Sequence, residues 1–450
     1  MSAGTMSART MSARTMSAGT KSTGTVRSGT MTRRRFLAAA ASAAASTTLS
    51  APAIAEGGAN IVVIGGGFAG ATCARMLKQS ATHLSVTLVE ANRTYTACPL
   101  SNGVIAGLHD LSEQQFTYEK IAADGVTMAF DTAAAIDAGS RTVVLKSGTS
   151  LFYDRLVIAP GIGFDWNALP GYNEAASRII PHAWKAGEQT TLLRRQLEAM
   201  EDGGTVLLSI PENPMRCPPG AYERASLIAY YLKTRKPRSK IIVLDAKDEF
   251  SMKSLFQNAW QALYPDHLEW IGLSSGGKVI SVDAGTRTLT CDFESHKGSV
   301  VNVIPRQQAG EIAQLAGVTD RTNWCPVDPI TFESKIAPNI HVIGDATLVG
   351  TMPKSAFGAD AQAKICAAAI LKLLANATPI RPKLINTCYS LVAPDYGLSV
   401  AGVYQPVGHD YLEVEGAGGN SPLEAPQATR ALEASYAHGV FRTLTGEVFG

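Results

Sequence analysis

Two loops in the sequence carry residue types whose spacing could do chemistry. Gly65, Gly67 and Gly70 form a GxGxxG loop, which lets the backbone approach the pyrophosphate of a dinucleotide at a helix N-terminus. Further along the chain, Cys217 lies in a second loop that is rich in proline. The prolines of that loop are Pro211, Pro214, Pro218 and Pro219. Because proline lacks a backbone N–H donor, the second loop is a poor phosphate cradle, and it presents a thiol instead.

The elements around the first loop complete a βαβ fingerprint. Asn60–Ile64 is predicted to be a buried parallel strand, residues 71–79 the following helix and residues 86–89 the next strand. Glu90 closes that strand, where an acidic side chain can accept a hydrogen bond from a ribose hydroxyl. The strand, the helix and the acidic residue together predict a dinucleotide site.

Two later segments indicate which dinucleotide to expect. Residues 153–161 are typical of the strand and glycine turn that close an FAD domain. Residues 338–345, which end in Gly344 and Asp345, resemble the second FAD motif of flavoproteins with two dinucleotide sites, which implies that Asp345 would hydrogen-bond the ribityl chain. A helix is predicted to begin near residue 354, with its positive end toward the flavin. These segments favour FAD over NAD.

The βαβ frame around the second loop is retained. Residues 203–210 and 240–245 are predicted strands, and residues 222–233 form an amphipathic helix between them. Only the loop has changed, so NAD(P)H binding is not expected there. The alternative is a loop that merely joins two domains, with Cys217 incidental.

The seven cysteines lack the spacings of zinc ribbons and of c-type haem attachment, because the chain contains neither CxxC nor CxxCH. The histidines show no metal-ligand spacing, so no metal site is predicted. Cys98 follows the second strand of the FAD domain, where a thiol could form a thioether to flavin or stay free and buried. Either Cys325 or Cys388 could meet Cys217, and spacing does not choose between them.

Residues 1–55 are predicted to be a targeting segment that is not part of the folded domain. Residues 1–30 are near-repeats of five residues, and the following TRRRFL and Ala-x-Ala patterns are typical of twin-arginine export and cleavage. We therefore expect a periplasmic protein. Without the seven basic residues of this segment the formal net charge of +2 becomes −5, which gives no reason to expect nucleic-acid binding. No later apolar run is long enough to predict a transmembrane helix.

From about residue 60 to residue 450, the sequence resembles the flavoprotein subunit of flavocytochrome c sulfide dehydrogenase, within the sulfide:quinone reductase branch of disulfide-reductase-like flavoproteins. The stretches that carry the resemblance are CPLSN at Cys98, HAWKAGEQT at His182, RCPPGAYERAS at Arg216, WCPVD at Trp324, HVIGDA at His341 and NTCYSLVAPDYG at Asn386.

The resemblance implies roles for individual residues. Cys98 would hold FAD through an 8α-methyl thioether, and Cys217 and Cys388 would form a redox disulfide beside the flavin. Glu223 would be an acid/base group; the alternative is a helix N-terminal carboxylate that complements the helix dipole. The implied partner is a c-type cytochrome subunit, which would carry the only haem.

The resemblance also implies a reaction. Hydrosulfide would attack the Cys217–Cys388 disulfide to give a persulfide and a thiolate. The thiolate would pass two electrons to bound FAD, and the haem of the partner would receive them singly. The product would be sulfane sulfur, as polysulfide or elemental sulfur.

Two other functions stay open at the level of sequence. A sulfide:quinone reductase needs a membrane-facing apolar surface, and residues 425–450 have only a modest apolar pattern mixed with charge. The second is a non-catalytic accessory flavoprotein of a thiosulfate-oxidising system. An NADH-dependent disulfide reductase is disfavoured by the proline-rich loop and by the lack of a CxxxxC pair.

The predicted fold is α/β, with two Rossmann-like domains of the glutathione-reductase type and a small α+β C-terminal domain. The FAD-binding domain is expected to be discontinuous, over residues 58–165 and 300–380. The second βαβ domain would span residues 166–299, and the C-terminal domain residues 381–450.

Overall fold

The computed structural model describes residues 58–450. The predicted repeats and export signal, residues 1–55, lie outside these residues, so the export route remains a prediction.

The first part of the described chain folds around a parallel sheet. Its strands are β1 (Asn60–Ile64), β2 (Ser85–Val89), β3 (Thr94–Thr96), β4 (Gln115–Thr117), β5 (Thr127–Ala129), β6 (Ala133–Asp137), β7 (Thr142–Leu145), β8 (Ser150–Phe152), β9 (Arg155–Ile158) and β10 (Ile162–Phe164). Its helices are α1 (Phe68–Ser80), α2 (Ser101–Ala106) and α3 (Glu119–Ala123). Strands β9, β1, β2 and β5 are neighbours in that order and all run parallel. The apolar run of β1 is almost wholly buried, as expected for a strand covered on both faces.

A second parallel sheet follows. Its segment contains helices α4 (Glu174–Ser177), α5 (Glu188–Ala199), α6 (Gly220–Arg235) and α7 (Lys253–Leu263), and strands β11 (Thr205–Ile210), β12 (Lys240–Asp245), β13 (Leu268–Ile271), β14 (Val279–Asp283), β15 (Thr288–Cys291), β16 (Ser295–Lys297) and β17 (Val300–Val303). The order is β13–β12–β11–β17, all parallel. The predicted boundary at residue 299 falls just before β17, so the sheet of this unit extends to Val303.

The chain then returns to the first sheet. This segment contains β18 (Gln307–Ala309), α8 (Glu311–Leu315), β19 (Cys325–Pro326), β20 (Ile340–Val342), β21 (Thr347–Leu348) and α9 (Ala356–Leu374). Strand β20 pairs parallel with β9 at the edge of the first sheet. The start of α9 is thereby carried to the same region as the glycine loop that precedes α1.

The last segment is an antiparallel sheet with one long helix. It consists of β22 (Leu384–Ala393), β23 (Tyr396–Val407), β24 (Asp410–Glu413), β25 (Gly419–Asn420) and α10 (Gln427–Val448). The predicted fold class, two parallel Rossmann-like sheets and an α+β C-terminal segment, is confirmed. Within residues 58–450, no helix combines the length and the apolar character needed to cross a bilayer.

Candidate active site

One cavity of about 640 Å³ brings most of the predicted site residues together. It is lined by residues of both parallel sheets, of α9 and of the C-terminal segment. The predicted residues that line it are Gly65, Gly67, Glu90, Cys98, Cys217, Glu223, Gly344, Asp345 and Cys388. Gly70 does not line the cavity but packs directly behind the loop, against Gly65.

The glycine loop has the geometry of a dinucleotide cradle. Gly65 adopts a φ of +96°, and a Cβ there would lie 2.3 Å from the carbonyl oxygen of Ala159. A Cβ on Gly70 would lie 1.8 Å from the carbonyl oxygen of Gly65. The backbone N–H of Gly66 donates to the carboxylate of Glu90 at 2.7 Å, so Glu90 is fixed at the end of β2 beside the loop. Side chains are excluded here, which leaves room for a pyrophosphate next to α1.

A second part of the cavity lining, close to the glycine loop, offers an unpaired carboxylate oxygen. Asp345 lies in a short 3₁₀ turn, and its Oδ1 atom is buried without a hydrogen-bond partner among residues 58–450. Burial raises the pKa of this carboxyl group. A buried acceptor that lacks a donor is costly, and the hydroxyls of a ribityl chain would supply donors. The residues present therefore fit FAD.

Lys354 fixes the turn that carries Asp345. Its ammonium donates to the carbonyl oxygens of Asp345 at 2.9 Å and Thr347 at 2.6 Å, and lies 4.0 Å from the centre of the Trp324 ring. Burial lowers the pKa of Lys354 to about 8. Helix α9 begins two residues later and is capped by Ser355, whose hydroxyl accepts from the N–H of Gly358 at 2.9 Å.

Cys217 and Cys388 face the same cavity as free thiols. Cys217 has a left-handed backbone, with φ +52°, just before the N-terminus of α6. Cys388 comes from β22, where it is paired with Val400 of β23. Burial raises the pKa of Cys217, with further contributions from Cys388 and Glu223. Burial also raises the pKa of Cys388, to about 11.

Geometry favours Cys388 over Cys325 as the neighbour of Cys217. Cys325 is fully buried in β19 and lies outside the cavity lining, and burial raises its pKa to about 12. Cys73 and Cys366 are buried on helices α1 and α9, and Cys291 ends strand β15.

Glu223 is held rigidly in the first turn of α6. One carboxylate oxygen accepts from Asn102 Nδ2 at 2.7 Å and the other from the backbone N–H of Leu391 at 2.9 Å. Burial raises its pKa, and its charge reaches both Cys217 and Cys388.

Two arginines of the site were not assigned a role from the sequence. Arg224 is buried and donates to Asn102 at 3.0 Å and to Asn302 at 3.0 Å, so it connects three segments of the chain. Burial, followed by the charge of Arg216, lowers the pKa of Arg224 to about 9. Arg216 immediately precedes Cys217 and lines the cavity. Both belong to the stretch RCPPGAYERAS, in which a pair of basic residues around a cysteine was the available signal.

Cys98 lies at the wall of the cavity that Arg216 also lines. Its sulfur accepts from the backbone N–H of Ala186 at 3.5 Å. Lys185 and Arg216 are its basic neighbours.

The acidic residue that ends the second strand of the altered βαβ unit is engaged by other side chains of the protein. Asp245, at the end of β12, is fully buried and accepts from the Tyr222 hydroxyl at 2.7 Å and from Trp270 Nε1 at 3.1 Å. Lys247 completes its environment with an ion pair of 2.8 Å. Phe250 stacks on Tyr222 with ring centres 3.6 Å apart. The acidic residue that would bind a ribose is therefore already hydrogen-bonded and ion-paired within the protein.

Among residues 58–450, no cluster of three or more histidine, cysteine, aspartate or glutamate side chains is arranged to hold a metal ion.

Three family models match the chain. Residues 190–305 match the central part of the sulfide dehydrogenase [flavocytochrome c] flavoprotein chain. Residues 380–449 match the flavin-binding part of flavocytochrome c sulphide dehydrogenase. Residues 59–195 match the pyridine nucleotide-disulphide oxidoreductase family.

Individual relatives lie in the same group. The chain is 24% identical over 341 residues to the mitochondrial sulfide:quinone oxidoreductase of Mus musculus, across 71% of this chain and 72% of the relative. It is 46% identical over 48 residues to the sulfide dehydrogenase [flavocytochrome c] flavoprotein chain of Chlorobaculum thiosulfatiphilum, across 11% of this chain and 100% of that sequence. The crystal structure of the sulfide:quinone oxidoreductase of Aquifex aeolicus superposes with a TM-score of 0.70 at 16% identity, covering 86% of this chain and 92% of the other.

Proposed function

This chain belongs to the flavoprotein family of flavocytochrome c sulfide dehydrogenases and sulfide:quinone oxidoreductases, and we propose that it oxidises sulfide to sulfane sulfur and delivers the electrons to a c-type cytochrome subunit. At the level of class it is a sulfide-oxidising flavoprotein oxidoreductase. The observation that carries the finer proposal is the single cavity lined by Cys217, Cys388, the glycine loop and Asp345.

The proposed chemistry begins at a disulfide between Cys217 and Cys388. Hydrosulfide attacks one of the two sulfurs; the bond to the substrate sulfur forms while the Cys217–Cys388 bond breaks, which leaves a persulfide and a thiolate. A second hydrosulfide removes the sulfane sulfur of the persulfide as a polysulfide anion. The two cysteines would then re-form their disulfide, and bound FAD would supply the acceptor for the electron pair that this releases.

Glu223 is the general acid and base in this proposal. Its carboxyl group is buried, and its raised pKa lets it take up a proton from hydrosulfide or from a cysteine thiol and release it later. Asn102 and the N–H of Leu391 hold both carboxylate oxygens, which keeps the group oriented through the cycle.

FAD, when bound, accepts electrons in pairs and releases them one at a time. The glycine loop would hold its pyrophosphate, and Asp345 its ribityl chain. We propose in addition that Cys98 forms a thioether to the flavin, because its thiol lies at the cavity wall beside basic side chains.

The acceptor and the compartment are proposed from the sequence. The chain has no CxxCH motif, so a c-type haem that accepts the electrons would belong to another chain. The TRRRFL and Ala-x-Ala patterns support export to the periplasm, where c-type cytochromes are available.

A quinone is the second candidate acceptor. Two relatives with long matches are sulfide:quinone oxidoreductases by name. Some apolar side chains near the C-terminus are exposed, Leu432 at 54% and Tyr436 at 52% on α10 among them, which a membrane surface could cover.

The test is an anaerobic titration of the purified protein with sulfide, monitored by flavin absorbance. Acid precipitation then shows whether the flavin stays with the polypeptide, as a Cys98 thioether requires. The reduced protein is finally mixed with cytochrome c or with a soluble quinone, and the rates of reoxidation are compared.

Each outcome assigns one part of the proposal. Bleaching by sulfide with fast cytochrome reduction supports the sulfide dehydrogenase, whereas fast quinone reduction transfers the protein to the quinone branch. Flavin that stays in the supernatant overturns the thioether but not the sulfide chemistry. Absence of bleaching overturns the enzymatic proposal and favours the accessory flavoprotein.

A further inference from the structure

The guanidinium of Arg216 is poorly satisfied by the protein. Its backbone N–H is fixed by Gln307 Oε1 at 2.8 Å, while the side chain donates to the carbonyl oxygen of Trp184 and lies 5.9 Å from the centre of that ring. Within residues 58–450, no carboxylate forms an ion pair with it inside 4.0 Å. A guanidinium has five N–H donors. Within residues 58–450 the side chain of Arg216 makes only the hydrogen bond to Trp184, and Arg216 lines the cavity.

Arg224, one turn along α6, differs in this respect. Its three nitrogens donate to Asn102, His182, Asn302 and Ala183, so its hydrogen-bonding capacity is used within the protein. Two arginines thus reach the same cavity, one as part of the scaffold and one available to a ligand.

The groups around Arg216 are those that can carry negative charge. Burial alone would lower its pKa, but the neighbouring Cys98, Asp345, Tyr95 and Cys217 together raise it. In return, the charge of Arg216 lowers the pKa of Cys217 against the opposing effect of burial. The cationic side chain therefore stabilises anions at the position of the Cys217 sulfur.

We propose that Arg216 is the anion-binding residue of this site, where it positions an anionic sulfur substrate against Cys217. This inference rests on the proposed function for the identity of the anion, hydrosulfide or a polysulfide. Arg216 stabilises the incoming anion at the Cys217 sulfur, where the persulfide forms as the bond to Cys388 breaks and Cys388 leaves as the thiolate. A guanidinium is suited to bind such an anion because it carries a permanent positive charge and presents its N–H donors in a fixed planar geometry.

The inference is tested first without sulfide. Protein reduced with a phosphine is treated in parallel with iodoacetate, which is an anion, and with iodoacetamide, which is neutral but alkylates thiols by the same displacement. Digestion after glutamate releases residues 213–223, so the labelling of Cys217 is read by mass spectrometry. Both reagents alkylate the same thiolate, so the thiolate fraction of Cys217 affects both rates equally. The ratio of the iodoacetate rate to the iodoacetamide rate therefore reports how strongly the site attracts an anion.

The variants are Arg216→Gln, Arg216→Lys and Arg238→Gln. Arg238 forms an exposed ion pair with Asp202 and does not line the cavity, so it controls for loss of a positive charge elsewhere. We expect the iodoacetate-to-iodoacetamide ratio at Cys217 to fall about tenfold in Arg216→Gln, to be mostly retained in Arg216→Lys and to be unchanged in Arg238→Gln. Equal ratios in the wild type and Arg216→Gln overturn the inference.

Rapid mixing with sulfide then identifies the anion. The sulfide concentration that half-saturates flavin reduction should rise about tenfold in Arg216→Gln, with a smaller change in the limiting rate. If the wild-type flavin is not reduced by sulfide, the proposed function fails while the alkylation ratio still judges the anion site. If sulfide reduces both proteins with the same half-saturation, Arg216 does not bind the substrate.

Discussion

The backbone N–H of Cys217 donates to the carbonyl oxygen of Lys354 at 2.7 Å. The ammonium of the same lysine donates to the carbonyl oxygen of Asp345 at 2.9 Å. One residue therefore fixes both the thiol loop and the turn that would hold the flavin. A non-glycine residue at φ +52° is costly, and such a conformation persists where the surroundings determine it. The position of the Cys217 thiol is therefore set by the flavin half of the cavity.

Replacing Cys217 with serine should abolish the reduction of the flavin by sulfide, by at least about a thousandfold, because the disulfide that receives hydrosulfide cannot form. FAD content should not change, since the glycine loop and Asp345 are untouched. Stopped-flow absorbance of the flavin measures the rate. Cys325→Ala is the matched control, because Cys325 is buried outside the cavity. Retention of the full rate in Cys217→Ser would exclude the disulfide mechanism.

Much of the fold follows from local sequence patterns. The buried run of β1, the glycine loop and the acid at the end of β2 are close in sequence, and the apolar run, the GxGxxG motif and the spacing to Glu90 predict them. The start of α9 was expected near residue 354 and lies at Ala356. These elements depend on contacts between residues that are near neighbours along the chain.

The site itself depends on contacts that sequence spacing cannot reveal. Cys388 lines the same cavity as Cys217 because β22 packs beside α6, and spacing left Cys325 as an equal choice. Arg216 and Arg224 are equivalent as basic residues in the sequence. In the structure, the side chain of Arg224 donates to four acceptors of the protein, whereas that of Arg216 donates to one. The internal use of Asp245 by Tyr222 and Trp270 was likewise invisible, because the sequence keeps an acid where a nucleotide ribose would bind.

Gly70→Ala should weaken FAD binding by at least about tenfold, since the added Cβ would lie 1.8 Å from the carbonyl oxygen of Gly65 and must displace the loop. Fluorescence titration with FAD measures the affinity, in apoprotein that also carries Cys98→Ser so that no thioether can form. Gly446→Ala is the matched control, because nothing lies within 4 Å of a Cβ at that helical position. The control should bind FAD normally and gain up to about 1 kcal/mol of helix stability.

Asn102→Ala should lower the free energy of unfolding by about 3 kcal/mol, because it leaves two buried charged groups, Glu223 and Arg224, each short of one hydrogen bond. Thermal unfolding followed by circular dichroism detects the loss as a lower midpoint. Asn167→Ala, at an exposed position, should change stability by less than about 0.5 kcal/mol. Similar midpoints for the two variants would mean that the buried network adds little to stability.

Glu223→Gln should remove a pH dependence from flavin reduction by sulfide. Burial raises the pKa of Glu223 above its ordinary value of 4.5, so the carboxylate that accepts a proton appears only as pH rises through the raised value. The wild-type rate should increase across that window, and the glutamine variant should be slower by about 10²–10⁴-fold and insensitive to pH there.

The stability of the protein should fall, not rise, with pH in the same window. The native state holds the Glu223 proton more tightly than the unfolded state. The stabilising contribution of Glu223 to the free energy of unfolding is therefore complete below pH 4.5 and is lost as pH rises through the raised pKa.

Asp360→Asn is the matched control for the pH dependence of the rate, since Asp360 is also buried with a raised pKa but bonds to Thr72 and Lys364 outside the cavity. This control should keep the wild-type pH–rate profile. An unchanged profile in Glu223→Gln would instead assign Glu223 a structural role, as a fixed acceptor for Asn102 and Leu391.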